Sequence, residues 1–276
     1  MEIKLKHRLS LYIMLSIGLL CLSACSSKNN QANTTVSSSS SENVQSQSVS
    51  LDFIKERLNI ENDTSAGNLA IIDSGCAILP TLKPHILTFQ DFVNHKTVPY
   101  DDTGHGTAIT NIATHLLPNV HIIELKVLDS EDTASTDNLI KSLQWILTYH
   151  QKYNIKVINI SISLPYNQED DQKFQDIIHQ LNVQGVAVVA SSENFSRDKT
   201  LPANSQGVIS VGSIDDKKTL SQVYTYGTGI ETISLGGHLI TRDGTSFSAV
   251  IMSSYVLYQM SQNPNFQIAQ LKGEIK

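Results

Sequence analysis

Three short glycine-flanked motifs carry side chains that could perform nucleophilic catalysis. Asp73 ends an apolar run and precedes Ser-Gly, His105 lies between two glycines, and Ser246 follows Gly-Thr. A serine hydroxyl becomes a nucleophile when a histidine takes its proton, and an aspartate can hold that imidazole in the required tautomer. Each residue alone has an ordinary alternative: a turn aspartate, a histidine in a tight turn, or a helix cap. Together, in the order Asp, His, Ser, they predict a nucleophilic triad.

Apolar, β-branched runs alternate with helical patterns along residues 51–276, and these elements must position the triad. The strand-like runs are 68–73, 120–128, 155–162, 186–190, 208–211 and 230–235; the helical patterns are 51–60, 105–117, 136–153, 168–184, 245–260 and a short one near 266–271. Strands that are apolar on both faces and alternate with helices predict a doubly wound α/β fold with a mostly parallel sheet. Functional groups in such folds gather at the carboxyl ends of the strands and the amino ends of the following helices.

Eight segments, in the same chain order, resemble the subtilisin-like serine proteases (subtilases, peptidase family S8) over most of residues 66–272. The segments are 73–75, 104–107, 126–128, 157–161, 188–190 with Asn194, 201–203, 208–212 and 244–246. The resemblance implies a single catalytic domain in which Ser246 attacks the peptide carbonyl, His105 transfers the proton and Asp73 orients the imidazole. It further implies that the Asn194 amide and the Ser246 backbone N–H form the oxyanion hole.

The resemblance also assigns substrate-binding residues. Ser161, Ile162 and Ser163 correspond to the edge strand to which a substrate peptide adds by backbone hydrogen bonds. Glu193 stands where the family usually has glycine, on the wall of the primary specificity pocket. A carboxylate there predicts a preference for Arg or Lys before the cleaved bond, unless Glu193 turns out into solvent.

The chain departs from the family pattern at two further places. After Ser246 the family continues with small residues and Pro-His, whereas this chain has Phe-Ser-Ala-Val-Ile at 247–251. The segment between His105 and Val120 is short, so the loop that usually holds a tight calcium ion is expected to be absent, and no metal or other cofactor is predicted. Four acids, Asp101, Asp102, Glu131 and Asp132, either bind a weaker ion or are simply solvated.

The first fifty residues have the composition of a targeting segment and a tether. A basic stretch, an apolar run from Leu9 to Leu22 and the sequence Leu-Ser-Ala-Cys25 predict a signal peptide over 1–24, and the last four residues resemble a bacterial lipobox that is acylated at Cys25. Of the 25 residues from 26 to 50, 19 are Ser, Thr, Asn or Gln, which predicts a disordered tether over 25–50 and a peptidase domain over 51–276. Cys76, the remaining cysteine of the folded part, is expected to be a buried thiol.

Composition narrows the function further. A net charge of −6 and 6% aromatic residues argue against nucleic-acid binding. The leading prediction is a lipid-anchored monomeric serine endopeptidase on the extracytoplasmic side of the cell membrane, with peptides or proteins as substrates. Its size and anchor resemble enzymes that remove the leader peptides of lanthipeptide or bacteriocin precursors. The alternative is a catalytically silent lipoprotein that binds peptides as a sensor or immunity protein, and an α/β-hydrolase-type esterase is disfavoured because Ser246 lacks a Gly-x-Ser-x-Gly elbow.

Overall fold

Eight of the strands in the described part of the chain form one sheet, and every pairing within it is parallel. The computed structural model describes residues 48–61, 67–194, 196–217, 219–263, 265–268 and 271–276, all of which lie in one compact unit. The sheet order is β12-β9-β8-β6-β4-β1-β3-β2. Its strands are β1 (Asn68–Asp73), β2 (Ile86–Asp91), β3 (Ile122–Lys126), β4 (Ile155–Ile160), β6 (Ala187–Ser191), β8 (Val208–Ser213), β9 (Val223–Thr225) and β12 (Gly273–Glu274).

Helices cover both faces of this sheet. They are α1 (Leu51–Arg57), α2 (His105–Leu116), α3 (Thr136–Tyr149), α4 (Gln168–Val183) and α5 (Thr245–Gln262). One core joins α1, α2 and α5 to strand residues such as Leu69 and Ile71, and the other joins α3 and α4 to their neighbours Ala70 and Ile72. Successive strand residues therefore serve opposite cores, which is why the central strands are mostly apolar on both faces. The doubly wound α/β prediction is confirmed.

Two small antiparallel ladders complete the architecture: β5 (Leu164–Pro165) with β7 (Thr200–Leu201), and β10 (Ile230–Ile233) with β11 (Leu239–Arg242). Val49 extends the second ladder, because its N–H donates to Gly229 O at 2.7 Å and its carbonyl accepts from Glu231 N at 3.0 Å. Residues 48–50, which the sequence pattern assigned to the tether, thus pack against β10, and the folded part begins before residue 51.

The sequence pattern missed several strands. The largest is β2, an edge strand whose residues are mostly half-exposed, so that it lacks the fully apolar character of the central strands. The strands β5, β7, β9, β11 and β12 are only two to four residues long. The short helix expected near 266–271 falls partly on residues outside the described part. No helix among the described residues is both long and apolar enough to span a membrane.

The chain reverses its winding direction at β1. From β1 it continues to β2 and β3 on one side, and it then returns to β4 on the other side of β1. The crevice beyond the carboxyl ends of β1 and β4 is consequently the expected binding position of a doubly wound sheet. Asp73 is the last residue of β1, and Ser161 follows the last residue of β4.

Candidate active site

The carboxylate of Asp73 holds the imidazole of His105. Asp73 is completely buried at the end of β1, and His105, whose side chain is 27% exposed, begins α2. Their Oδ1 and Nδ1 atoms are 2.7 Å apart. An Nδ1–H that donates to Asp73 leaves Nε2 as the ring's proton acceptor. Burial alone would lower the pKa of His105, but the Asp73 charge and hydrogen bond, with smaller contributions from Asp132 and Asp101, raise it above its ordinary value.

A second carboxylate organises the backbone around this pair. Asp101 Oδ1 accepts from Gly104 N at 3.0 Å and from Ser74 Oγ at 2.8 Å, and its Oδ2 accepts from Thr107 N at 2.9 Å. Ser74 Oγ in turn accepts from Gly106 N at 2.9 Å. Asp101 therefore caps the first turn of α2 and ties it to the end of β1.

Glycine is required beside His105 because the backbones approach so closely. A Cβ on Gly106 would lie 2.1 Å from the carbonyl oxygen of Gly75, and Gly104 has a φ of 89°. Gly75 itself has a φ of 101°, and a Cβ there would lie 2.1 Å from Tyr100 O. These contacts explain the glycines of both motifs.

The hydroxyl of Ser246 lies in the first turn of α5, next to the end of β4. Ser246 Oγ donates to Ser161 O at 3.2 Å, and Ser161 Oγ donates to Ser246 O at 3.0 Å. Within the described residues no hydrogen bond joins Ser246 Oγ to His105, although both line the same cavity. Such bonds are commonly long or misaligned in the absence of substrate and tighten when it binds. Phe247 packs behind this site, with its ring centroid 5.7 Å from that of His105.

The amide of Asn194 is oriented by the residue before the nucleophile. Asn194 Oδ1 accepts from Thr245 N at 2.8 Å and lies 2.9 Å from Thr245 Oγ1, whose single proton also has Ser192 O as an acceptor at 2.6 Å. Because the oxygen is engaged, Nδ2 is the end of the amide left to donate, and it has no hydrogen-bond partner among the described residues. Asn194 and Ser246 line the same cavity, so an Nδ2–H and the Ser246 backbone N–H are available to one oxyanion.

One cavity of about 250 Å³ brings most of the expected residues together. Its walls are His105, Leu128, Asp132, Ala134, Ser161, Ile162, Ser163, Leu164, Ser191, Asn194, Thr245 and Ser246. Ser161, Ile162 and Ser163 lie there as the sequence predicts. Asp73 lies behind His105, in hydrogen-bond contact with it.

Glu193 is the expected substrate-binding residue that does not line this cavity. Its Oε1 accepts from the backbone N of Asn194 at 2.9 Å, and the residue is half-buried. Thr245 and Asp132 also line this cavity, although the sequence pattern did not place them there. The Gly-Thr-Ser triplet was the signal for Thr245, whereas the position of Asp132 depends on how residues 128–134 are folded.

Two of the four acids considered as ligands of a weak ion, Asp101 and Asp102, are engaged by protein groups. Asp101 caps α2, and Asp102 Oδ2 is 2.9 Å from the ammonium of Lys126. Lys126 is fully buried and also donates to Ser74 O and Leu128 O, each at 2.7 Å. Among the described residues no group of three or more His, Cys, Asp or Glu is arranged to hold a metal ion.

A buried acid lies beneath α2, next to the Asp73–His105 pair. Glu124 of β3 is fully buried, accepts a hydrogen bond from Thr110 Oγ1 of α2, and its Oε2 has no partner among the described residues. Burial, with a smaller contribution from the Asp73 charge, raises the pKa of Glu124 well above its ordinary value. Cys76 is also completely buried, and burial and the nearby Glu124 raise the pKa of its thiol strongly. Cys76 is therefore a structural thiol.

The chain is similar to known proteins. Residues 65–276 match the Subtilase family of peptidase S8. Serine protease AprX of Bacillus subtilis (strain 168) is 24% identical over 264 residues, which cover 75% of this chain and 60% of that protein. Thermitase of Thermoactinomyces vulgaris is 25% identical over 193 residues, covering 66% of this chain and 67% of that protein.

A solved structure resembles the fold as well. The crystal structure of a cold adapted subtilisin-like serine proteinase matches with a TM-score of 0.62 and 20% identity, over 73% of this chain and 79% of that one. The family match spans more than half of the chain and includes Asp73, His105, Asn194 and Ser246. The chain therefore belongs to the subtilase family.

Proposed function

We propose that this protein is a serine endopeptidase that cleaves peptide bonds with the triad Asp73, His105 and Ser246. The observation that carries the proposal is the 2.7 Å contact between Asp73 and His105 at a cavity that also holds Ser246 and the free end of the Asn194 amide. These are the parts that acyl transfer to a serine requires.

The geometry supports a separate role for each of these residues. Ser246 Oγ rotates from Ser161 O towards His105 Nε2 and attacks the peptide carbonyl while Nε2 takes its proton. The Asp73 carboxylate stabilises the imidazolium, and the same Nε2–H then protonates the leaving amine. The Asn194 Nδ2–H and the Ser246 N–H bind the negative oxygen of the tetrahedral intermediate, and Ser246 lies at the positive end of the α5 dipole. Water then releases the acyl group by the reverse steps.

A labelling experiment with a matched variant tests the proposal. The purified protein and its Ser246→Ala variant are incubated with a fluorophosphonate and with a diverse peptide mixture read by mass spectrometry. We expect labelling and internal cleavage only when Ser246 is present, with a loss of about 10⁶-fold in kcat for the variant. Folded wild-type protein that neither labels nor cleaves would favour the silent peptide-binding lipoprotein instead.

The location we propose is the extracytoplasmic face of the cell membrane, through a lipid on Cys25. Support comes from the sequence of residues 1–50, since Cys25 and the tether up to residue 47 lie outside the described residues. The test is incorporation of radiolabelled palmitate into the full chain in a bacterial host. Label in the wild type but not in the Cys25→Ser variant supports the anchor, whereas equal label contradicts it.

The substrates we propose are the leader segments of secreted peptide precursors of the lanthipeptide or bacteriocin type. A flexible leader suits a small cleft in which the substrate must lie extended along residues 161–163. The test compares leader-containing precursors with a folded protein of equal mass. Cleavage at one bond after the leader is expected, and equally rapid degradation of both substrates would contradict this assignment.

A further inference from the structure

Asp132 brings an unpaired negative charge into the active-site cavity. Asp132 and His105 are the titratable residues among those that line it. The Asp132 carboxylate is exposed and forms no hydrogen bond or ion pair with other described residues. It nevertheless lies close enough to His105 for its charge to act on the imidazole.

The loop that carries Asp132 is held in one conformation. Asp129 Oδ1 accepts from the backbone N of Glu131 at 2.9 Å and of Thr133 at 3.0 Å, and Leu128 forms a bridge with Ala134 across the loop. Asp132 lies at the tip with a φ of 55°, a left-handed conformation that aspartate tolerates better than most residues. The backbone that carries Asp132 is therefore positioned before a substrate arrives.

We propose that Asp132, in this position, is a specificity-determining residue that selects substrates with Lys or Arg within two residues of the cleaved bond. The proposal rests on the endopeptidase function above and deepens it. A cavity of about 250 Å³ that contains both Ser246 and Asp132 leaves room for one substrate residue between them. A basic side chain there gains an ion pair as the peptide displaces water, and an acidic one meets a like charge.

The surroundings do not neutralise this charge. The whole chain carries a net charge of −6, so the field favours cationic peptides. The neighbouring carboxylate of Glu193 is turned to the backbone N of Asn194 and lies outside the cavity wall. Asp132 therefore lines the cavity and Glu193 does not, and their contributions can be separated by mutation.

The experiment measures kcat/KM for peptides that differ at one position. Arg, Lys, Gln, Leu or Glu is placed in turn at each position from two before to two after the cleaved bond, which mass spectrometry identifies. The proteins are the wild type, Asp132→Asn, Glu131→Gln and Glu193→Gln. Glu131→Gln is the matched control. It removes one negative charge from the residue next to Asp132, and the Glu131 side chain does not line the cavity.

We expect the wild type to prefer Arg or Lys at one position, and Asp132→Asn to lower the Arg-to-Leu ratio about fivefold, the size given by a partly exposed ion pair. Glu131→Gln keeps the ratio. The preference should also shrink between 0.15 and 1 M salt, where the Debye length falls from about 8 to 3 Å.

Equal ratios in wild type and Asp132→Asn, or a loss found in Glu193→Gln instead, would overturn the role of Asp132. Fluorophosphonate labelling of every variant confirms that the active site is folded. An enzyme that cleaves without regard to basic residues contradicts only this inference, whereas a wild type that neither labels nor cleaves contradicts the proposed function and the inference together.

Discussion

Ser161 and Ser246 are joined by two reciprocal hydrogen bonds, each from the hydroxyl of one residue to the backbone carbonyl of the other, at 3.0 and 3.2 Å. The bonds connect the end of β4 to the first turn of α5. They continue into the core, because Asn159 Nδ2 donates to Ser161 Oγ at 2.9 Å and Ser253 Oγ donates to Asn159 Oδ1 at 3.0 Å. The nucleophile is thus positioned by a buried polar chain that spans the sheet and the helix.

Replacing Ser161 by alanine should lower kcat by roughly fivefold and leave KM less affected. The change removes one hydrogen bond that fixes the α5 start, and a typical bond contributes about 1 kcal/mol. Steady-state kinetics on a peptide ester checks this. Ser161→Thr keeps the hydroxyl and should recover part of the rate. Equal kcat in the alanine variant and the wild type would show that Ser161 does not position Ser246.

Removing the Asn194 amide should cost about 10²–10³ in kcat, with KM little changed, because the amide binds the oxyanion only as it forms. The variants Asn194→Ala and Asn194→Gln are compared in single-turnover assays.

Variants of Thr245 test whether this residue positions the Asn194 amide. Thr245→Val removes the hydroxyl that contacts Asn194 Oδ1 at 2.9 Å and Ser192 O at 2.6 Å, while Thr245→Ser retains it. We expect Thr245→Val to lower kcat by a smaller factor than Asn194→Ala, and no further loss when the two are combined. Fully multiplicative losses would mean that Thr245 acts independently of Asn194.

The acid limb of the pH profile of kcat/KM should have its midpoint above 6.5. His105 accepts the Ser246 proton only when it is neutral, and its pKa is raised: burial lowers it, but the charge of Asp73 outweighs that effect and Asp132 adds to the rise. Removing a negative charge destabilises the imidazolium, so Asp132→Asn should move the limb to lower pH. The control Glu131→Gln should leave the limb in place. A midpoint below 6.5 in the wild type would show that the Asp73 charge does not raise the pKa of His105.

Glu124→Gln should stabilise the protein relative to the wild type as the pH rises. Burial, and secondarily the Asp73 charge, raise the pKa of Glu124 in the folded state above 4.5, so the folded chain holds a proton that the unfolded chain has lost. The wild type therefore loses stability above pH 4.5, by up to about 1.4 kcal/mol per pH unit, until the pH passes the folded-state pKa.

Glutamine does not titrate, so Glu124→Gln removes this dependence of the free energy of unfolding on pH. Urea unfolding of wild type, Glu124→Gln and the exposed control Glu131→Gln from pH 5 to 9 checks the prediction. A difference between wild type and Glu124→Gln that stays constant over this range would show that Glu124 is ionised in the folded protein.

Local features of the sequence, together with the family resemblance, were sufficient to predict the central elements and to nominate the candidate catalytic residues. The runs 68–73 and 155–162 are mostly apolar on both faces because each strand serves two cores, and that pattern is visible without a structure. The glycines around His105 and the Gly-Thr-Ser triplet are likewise visible as motifs, although the contacts that require the glycines, such as that of Gly106 with Gly75 O, join distant parts of the chain. By contrast, β2 lies at an edge and carries no such pattern.

Only the tertiary structure decided which distant side chains meet. Asp132 looked like a solvated surface acid, and it becomes a cavity residue because Asp129 folds the loop back over His105. Glu193 looked like a pocket residue, yet its carboxylate bonds to the adjacent backbone. Glu124 and Thr110 belong to different elements, and their contact follows from how α2 packs on β3. Sequence periodicity records the burial of single elements, whereas contacts between elements depend on register and packing, which no local pattern encodes.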